Sequence, residues 1–206
     1  MAEPGSASKL ILASASPFRR RLLEAAGLTF RTVPAAVDEA ALKRTFAAKT
    51  PKASPAEIAE CLARAKAEVV SAVFPDANVI GADQVLALRG ELFDKPGDLA
   101  EARAQLERLR GKTHHLFTAV ALSLGGDVVW SHIEEATLTM RRFSRGFLDA
   151  YLAKAGEELC QIVGAYEIEG PGIQLFERID GDHLNIIGLP MIPLLSELRS
   201  RGVITA

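Results

Sequence analysis

Apolar and polar positions alternate along the chain in a way that separates short strand-like runs from amphipathic stretches. Leu10-Ile11-Leu12-Ala13 is an apolar run of buried-strand length that stops at two hydroxyl residues, Ser14 and Ser16. Pro17 stands where a helix begins and Ser16 can cap its free amides, which predicts a helix from Pro17 to Ala26 closed by Gly27. Thr29 to Val33 reads as a second strand. Small residues and scattered charges from Ala35 to Ala53 predict a short helix or a mobile loop. Ser54-Pro55-Ala56-Glu57 is a capping box, opening a helix to about Val73 with Ile58, Cys61, Leu62, Ala65 and Val69 on one face. Pro75 and Asp76 break it before a short strand at Val79-Ile80.

Leu86 to Asp94 then reads as a hairpin turning at Arg89-Gly90 and delivering Lys95-Pro96. Asp98 and Glu101 repeat the capping pattern and start a helix that ends at Gly111. His115 to Leu124 alternates, turns at Gly125-Gly126-Asp127 and returns as Val128 to Met140, a long hairpin. Ser144 caps a helix to about Ala155, glycine-rich strands are expected across Ile162 to Asp182, and Pro190 to Arg201 is a final helix stopped by Gly202. There is no internal repeat, low-complexity tract or linker, so residues 1–206 read as a single domain. Its βα units and one long hairpin predict an α/β protein with a mixed, twisted sheet and flanking helices.

Composition narrows the class. Hydrophobic residues make up 49% and charged residues 24%, enough for a sizeable core. The net charge of −2 argues against a general binder of polymeric nucleic acid, so any basic site must be local. Cys61 and Cys160 are isolated, and no Cys/His ligand spacing exists, which argues against a disulfide scaffold or a zinc site. No apolar run approaches a membrane span, and Met1 to Lys9 lacks a signal peptide's hydrophobic region; a cytoplasmic enzyme is the expectation.

Candidate chemistry gathers at a few places. Backbone amides, the Ser14 and Ser16 hydroxyls and the guanidinium forks of Arg19 and Arg20 make a good phosphate receptor at the first strand-to-helix turn. Its rival is an ordinary capped helix with surface arginines. Val79-Ile80-Gly81-Ala82-Asp83 places a carboxylate at an expected strand exit, and the next hairpin brings Lys95; together they suit a metal-bound polyphosphate. Gly111-Lys112-Thr113 looks like the end of a Walker A loop, but Leu106 stands where that loop needs glycine and a helix precedes it. It reads instead as a helix stop followed by two polar residues in reach of a phosphate. No Rossmann fingerprint follows any strand. His114 sits beside these segments, while His115, His132 and His183 show no ligand spacing.

Taken in order, the segments resemble the Maf family of nucleoside triphosphate pyrophosphatases. The resemblance runs from Lys9 to about Gly202. It rests on Ser14-Ala15-Ser16-Pro17-Phe18-Arg19-Arg20, Val37-Asp38-Glu39, Ala63-Arg64-Ala65-Lys66-Ala67, Gly81-Ala82-Asp83-Gln84 and Asp94-Lys95-Pro96. It continues through Leu109-Arg110-Gly111-Lys112-Thr113-His114, Thr118-Ala119-Val120, Gly164-Ala165-Tyr166 and Gly188-Leu189-Pro190.

The resemblance implies hydrolysis of a nucleoside triphosphate to monophosphate and pyrophosphate with a divalent cation, Mg²⁺ or Mn²⁺. It also implies two lobes around a cleft, similar to inosine triphosphatases, and a homodimer. It makes Asp83 the general base or metal-orienting carboxylate, Glu39 a metal-holding acid with Asp83, and Lys66 and Lys95 the neutralisers of phosphate charge. Ser14, Arg19, Arg20, Lys112 and Thr113 become substrate-binding candidates. From the residues alone, Lys66 reads rather as a snorkelling helix lysine and Glu39 as a solvated loop acid; the resemblance reverses that balance.

Three positions in the family separate substrate types: Arg, Thr and Gln in pyrimidine-preferring members, Trp, Gln and Glu in those preferring 7-methyl-GTP. This chain has Phe18, Gln84 and Glu169, which favours the modified purine, while Gly81-Ala82-Asp83 and Tyr166 look like the pyrimidine or generic type. A dTTP/UTP-type pyrophosphatase and a non-catalytic nucleotide-binding regulator of septum formation are the alternatives. The full set Glu39, Lys66, Asp83 and Lys95 argues against the second, and the Glu-rich Nudix motif is absent.

Overall fold

The computed structural model describes residues 10–50 and 52–205. The stretch Met1 to Lys9 considered above lies outside the described residues. Seven strands form one mixed sheet: β1 (Leu10–Leu12), β2 (Arg31–Thr32), β3 (Asn78–Leu88), β4 (Glu91–Phe93), β5 (Thr113–Leu124), β6 (Asp127–Met140) and β7 (Phe176–Asp180). The helices are α1 (Pro17–Ala25), α2 (Glu39–Lys49), α3 (Pro55–Val73), α4 (Leu99–Leu109), α5 (Arg145–Ala155), α6 (His183–Ile187) and α7 (Met191–Ser200). The strand order is β2-β1-β3-β5-β6-β7, with β1 parallel to both neighbours and the rest antiparallel. The α/β class with a mixed sheet and flanking helices is therefore as the patterning predicts.

The organising feature is β3. One edge pairs with β5 over most of its length, from Val79 to Ala87. The other edge is shared: Asn78 to Ile80 pair with β1, and Leu86 to Leu88 pair with β4. Between these partners, Gly81 to Val85 have no strand beside them, so the sheet forks. Side chains alternate across a strand, which sends Gly81, Asp83 and Val85 to one face and Ala82 and Gln84 to the other.

Helix α3 covers the Asp83 face. It buries Ala59, Leu62, Ala63, Lys66, Ala67, Val70 and Ser71. That is not the stripe expected from bulk: Val69 is 44% exposed and Cys61 only half-buried. The reason is distance. A Cβ on Gly81 would lie 2.2 Å from the Ala63 carbonyl oxygen and 2.6 Å from the Ala67 amide nitrogen. Only an alanine-lined helix over a glycine can pack so tightly, and Ala59, Ala63, Ala67, Val85, Ala119 and Ala121 form that seam.

The opposite face carries two apolar clusters. One gathers Leu10, Leu12, Leu23, Ile80, Leu122, Leu194 and Leu198 under α1 and α7. The other gathers Leu86, Leu106, Leu116, Leu138, Phe143 and Leu152 under α4 and α5. Polar contacts between Gln84, Thr118 and α6 separate them.

Other departures from the patterning have local causes. Asp38 caps α2, an eleven-residue helix with no buried residue, in the segment left between helix and loop. The strand expected from Thr29 to Val33 shortens to two exposed residues. The glycine-rich stretch to Asp182 holds one short strand after two 3-10 turns, Gly156–Gln161 and Pro171–Leu175. Gly164 (φ 81°) and Ala165 (φ 56°) bend the backbone into the left-handed region there, which strands do not tolerate. Helix α6 escaped the sequence pattern altogether; at five residues it is too short to show a period.

Candidate active site

The fork in β3 opens into a cleft of about 1250 Å³, including its mouth. Asp83 is therefore a mid-strand residue, not the strand-exit residue that the sequence suggested; β1 and β4 simply fail to meet beside it. The residue is 7% exposed, and its Oδ1 accepts a 2.6 Å bond from Lys66 Nζ. Lys66 comes from the buried face of α3 and also lies 2.7 Å from Glu39 Oε1, at the first turn of α2. One ammonium thus bridges two carboxylates. Burial raises the Glu39 pKa, but the Lys66 bond and the charges of Lys66, Lys95 and Lys43 outweigh it and hold the group below its ordinary value.

Arg19 enters from the first turn of α1. Nη1 donates to the Ala82 carbonyl (2.9 Å) and to Ser14 Oγ (3.3 Å), and Nε donates to the Gly188 carbonyl (3.0 Å). The guanidinium is held by three hydrogen bonds, and Nη2 makes none among the described residues, which leaves it open to an anion. Burial draws the Arg19 pKa down, opposed by Asp83 and Glu39. Lys95 follows β4 at the other tine of the fork. Desolvation lowers its pKa, Arg19 and Lys66 push the same way, and Glu39 and Asp83 oppose.

Glu39, Lys66, Asp83, Lys95, Arg19, Phe18 and Gln84 all line this cleft. Ser14 stands behind Arg19, accepting its N–H and the Ser16 amide, so it positions rather than lines. Arg20 is exposed and pairs with Glu24 on its own helix at 3.6 Å, away from the cleft. Lys112 and Thr113 are also elsewhere. Lys112 Nζ donates to the Arg108 carbonyl at the end of α4, and Thr113 Oγ1 meets Thr139 Oγ1 across the β5–β6 ladder. The turn after α4 points them along the sheet's far end, so the phosphate reach read from the Gly111-Lys112-Thr113 run is not realised. Lys43 was not singled out by the sequence; it lines the cleft and pairs with Asp94 at 2.5 Å, joining α2 to the Lys95 segment.

A second recess of about 390 Å³ adjoins the cleft, and Phe18, Gln84, Ile162, Val163 and Ile187 line both. Its wall includes Tyr166, Glu167 and Glu169. All three residues expected to read a base therefore share one recess. The roles differ in detail. The Gln84 amide donates to Thr118 Oγ1 and to the Asn185 and Ile186 carbonyls, leaving its oxygen as the group open to a ligand. The Arg21 guanidinium lies 4.9 Å from the Phe18 ring centroid, and Arg21 also pairs with Glu167 at 3.6 Å. Beneath the recess, buried His114 shares a 3.0 Å hydrogen bond with Tyr166.

A guanidinium held by three hydrogen bonds, two lysines and two carboxylates line one cleft of an α/β protein, a charge pattern suited to a phosphate-bearing ligand. The chain belongs to the Maf family: the model of the Maf-like protein family matches residues 9–201. It is 51% identical over 197 residues to the nucleoside triphosphate pyrophosphatase of Granulibacter bethesdensis, covering 96% of this chain and 99% of that one. It is 52% identical over 197 residues to the 7-methyl-GTP pyrophosphatase of Rhizobium meliloti, covering 96% and 98%. A HAM1 protein of Coxiella burnetii overlays with a TM-score of 0.40 at 16% identity, over 66% of this chain and 74% of that one.

Proposed function

We infer that the chain hydrolyses a nucleoside triphosphate to the monophosphate and pyrophosphate, and that its substrate is a modified purine nucleotide of the 7-methyl-GTP kind. The observation carrying this is the bridging of Asp83 and Glu39 by Lys66, beside Arg19 and Lys95, in the β3 fork. Relatives at about half identity are named for this activity, and those named for 7-methyl-GTP support the finer reading.

The chemistry follows from the charges. Water attacks the α-phosphorus, Asp83 accepts its proton, and the bond to the β-phosphate bridging oxygen breaks with its electron pair leaving on pyrophosphate. Lys95 and Arg19 neutralise the triphosphate, and Lys66 holds the two carboxylates in place. Mg²⁺ binds through one or two carboxylates together with substrate phosphates; the Glu39 oxygen not bonded to Lys66 would hold such a cation, while the free Asp83 oxygen is kept for the proton of the attacking water. When bound, such a cation would neutralise phosphate charge. Phe18, the Gln84 oxygen and Glu169 would meet the base: a cationic methylated purine gains from an aromatic face and from nearby carboxylates.

Hydrolysis in ¹⁸O-labelled water tests the bond choice. The label should enter the nucleoside monophosphate, with pyrophosphate as the partner product. Label in pyrophosphate or in orthophosphate would overturn it. Competition among 7-methyl-GTP, GTP, dTTP and UTP tests the substrate, and a preference for dTTP or UTP would favour the pyrimidine type.

A further inference from the structure

The Gly111-Lys112 turn, displaced from the cleft, lines a concavity of its own. Arg89, Arg110, Gly111, Lys112 and Arg142 surround a space of about 660 Å³, with no acidic residue in the lining. The chain as a whole carries −2, so four cations around one hollow are a local excess. The nearest acid along the β3–β4 hairpin, Glu91, is taken by Arg108 at 2.5 Å. No ion pair joins Arg89, Arg110, Lys112 or Arg142 to a carboxylate among the described residues.

Helix capping accounts for only part of this. Lys112 Nζ donates to the Arg108 carbonyl, and Arg110 Nε donates to the Phe143 carbonyl, so both serve backbone at the end of α4. Each keeps further donors. Among the described residues, Arg89 and Arg142 make no such bond. Arg89 occupies the first position of a two-residue hairpin turn with φ 54°, before Gly90 at φ 84°, where Asn, Asp or Gly is the usual choice. Arg142 lies across Gly111: a Cβ there would sit 2.8 Å from Arg142 Cγ. The missing side chain at Gly111 is what lets Arg142 lie over the turn. The frame is rigid, since the Gly111 amide donates to the Arg141 carbonyl and the Met140 amide to the Lys112 carbonyl.

We propose that this hollow is a second anion site, separate from the β3 fork, which takes a polyphosphate-class anion: two or more linked phosphoryl groups. Guanidinium forks recognise phosphate oxygens in pairs, and four cations match an anion of several charges better than a single carboxylate. Inorganic pyrophosphate and the phosphate tail of a nucleotide share this chemistry.

Calorimetric titration of the intact protein in chelator separates the possibilities. One arm uses inorganic pyrophosphate and the other a non-hydrolysable nucleoside triphosphate. The double variant Arg89→Ser/Arg142→Ser should bind at least one of the two probes about tenfold or more weakly, the scale of losing charge-assisted hydrogen bonds. Its kcat and KM for nucleotide hydrolysis should stay within twofold of wild type. A control of equal charge change, Arg31→Ser/Arg199→Ser, should bind as wild type does. If the effect appears with the nucleotide analogue alone, the natural occupant is a nucleotide tail; with pyrophosphate alone, it is the free anion. Undiminished binding of both probes in the Arg89/Arg142 variant, or an equal loss in the control, overturns the proposal. Thermal unfolding of both variants confirms that the fold is intact, and loss of hydrolysis in a folded Arg89/Arg142 variant would make the hollow part of the hydrolytic site and overturn its separateness.

Discussion

Asp83 and Gln84 are adjacent in sequence and serve opposite faces of β3. Asp83 meets Lys66 of α3 at 2.6 Å, while the Gln84 amide bonds Thr118 and the carbonyls of α6. The period of a strand thus separates the Lys66–Asp83–Glu39 cluster from the recess proposed to take the base. Both open to one cleft because β1 and β4 leave that stretch of β3 without a neighbour.

The tight seat of α3 on β3 should be intolerant of a single methyl. Gly81→Ala would drive a Cβ to 2.2 Å from a backbone oxygen, which cannot step aside as a flexible side chain can. Overpacking of this kind costs about 1–3 kcal/mol, and backbone clashes lie at or above the upper end. Urea unfolding should show a loss of at least that size, with kcat falling as Lys66 is displaced. A Gly81→Ala protein of wild-type midpoint would mean that the helix is not seated so closely.

Acid should destabilise the fold through His114. Burial, with a smaller push from His115, lowers its pKa from 6.5 to about 4. Above pH 6.5 the group is neutral folded and unfolded and costs nothing. As pH falls from 6.5 towards 4 the unfolded chain takes up the proton first, so stability is lost across that window. At about 1.4 kcal/mol per tenfold in proton affinity, the full penalty is on the order of 3 kcal/mol. Stability measured against pH should slope steeply there in the wild type and less in His114→Gln. Equal slopes would assign the acid sensitivity to other groups.

Gln84→Thr should change selectivity more than turnover. Its amide ties α6 to the sheet and its oxygen faces the recess, so the variant loses an acceptor for the base and loosens one wall. KM for 7-methyl-GTP should rise several-fold, about 1 kcal/mol for one lost hydrogen bond, with kcat less affected. A fall in kcat with KM unchanged would place Gln84 in the chemistry instead.

Much of this site was legible before any coordinates. The Ser16-Pro17 cap, the Ser54-Glu57 capping box and the long hairpin are local signals, and local physics decides them. Lys66, by contrast, reads as a snorkelling side chain until a sheet is laid over α3; only long-range packing turns it inward. The same packing inverted the expected face of α3, because the close approach to Gly81 selects small residues over bulky ones. Asp83 reads from the sequence as a strand-exit residue and stands mid-strand, since nothing local shows that two partner strands stop short of it. Lys43 and Glu167 owe their places at the cleft and recess to α2 and the 3-10 turns, whose paths no sequence period records.

The central claim is that Asp83 in the β3 fork takes the proton of the attacking water, and Asp83→Asn tests it most directly. Asparagine keeps an oxygen for Lys66 to donate to, and Glu39 still pairs with that lysine, so the fold and nucleotide binding should survive. The measurement is pyrophosphate release from 7-methyl-GTP, with nucleotide affinity determined on the same preparation. A fall in kcat of about 10²–10⁴-fold, the usual contribution of a general base, is expected at an affinity within a few-fold of wild type. Near-normal turnover in a folded Asp83→Asn protein would contradict it.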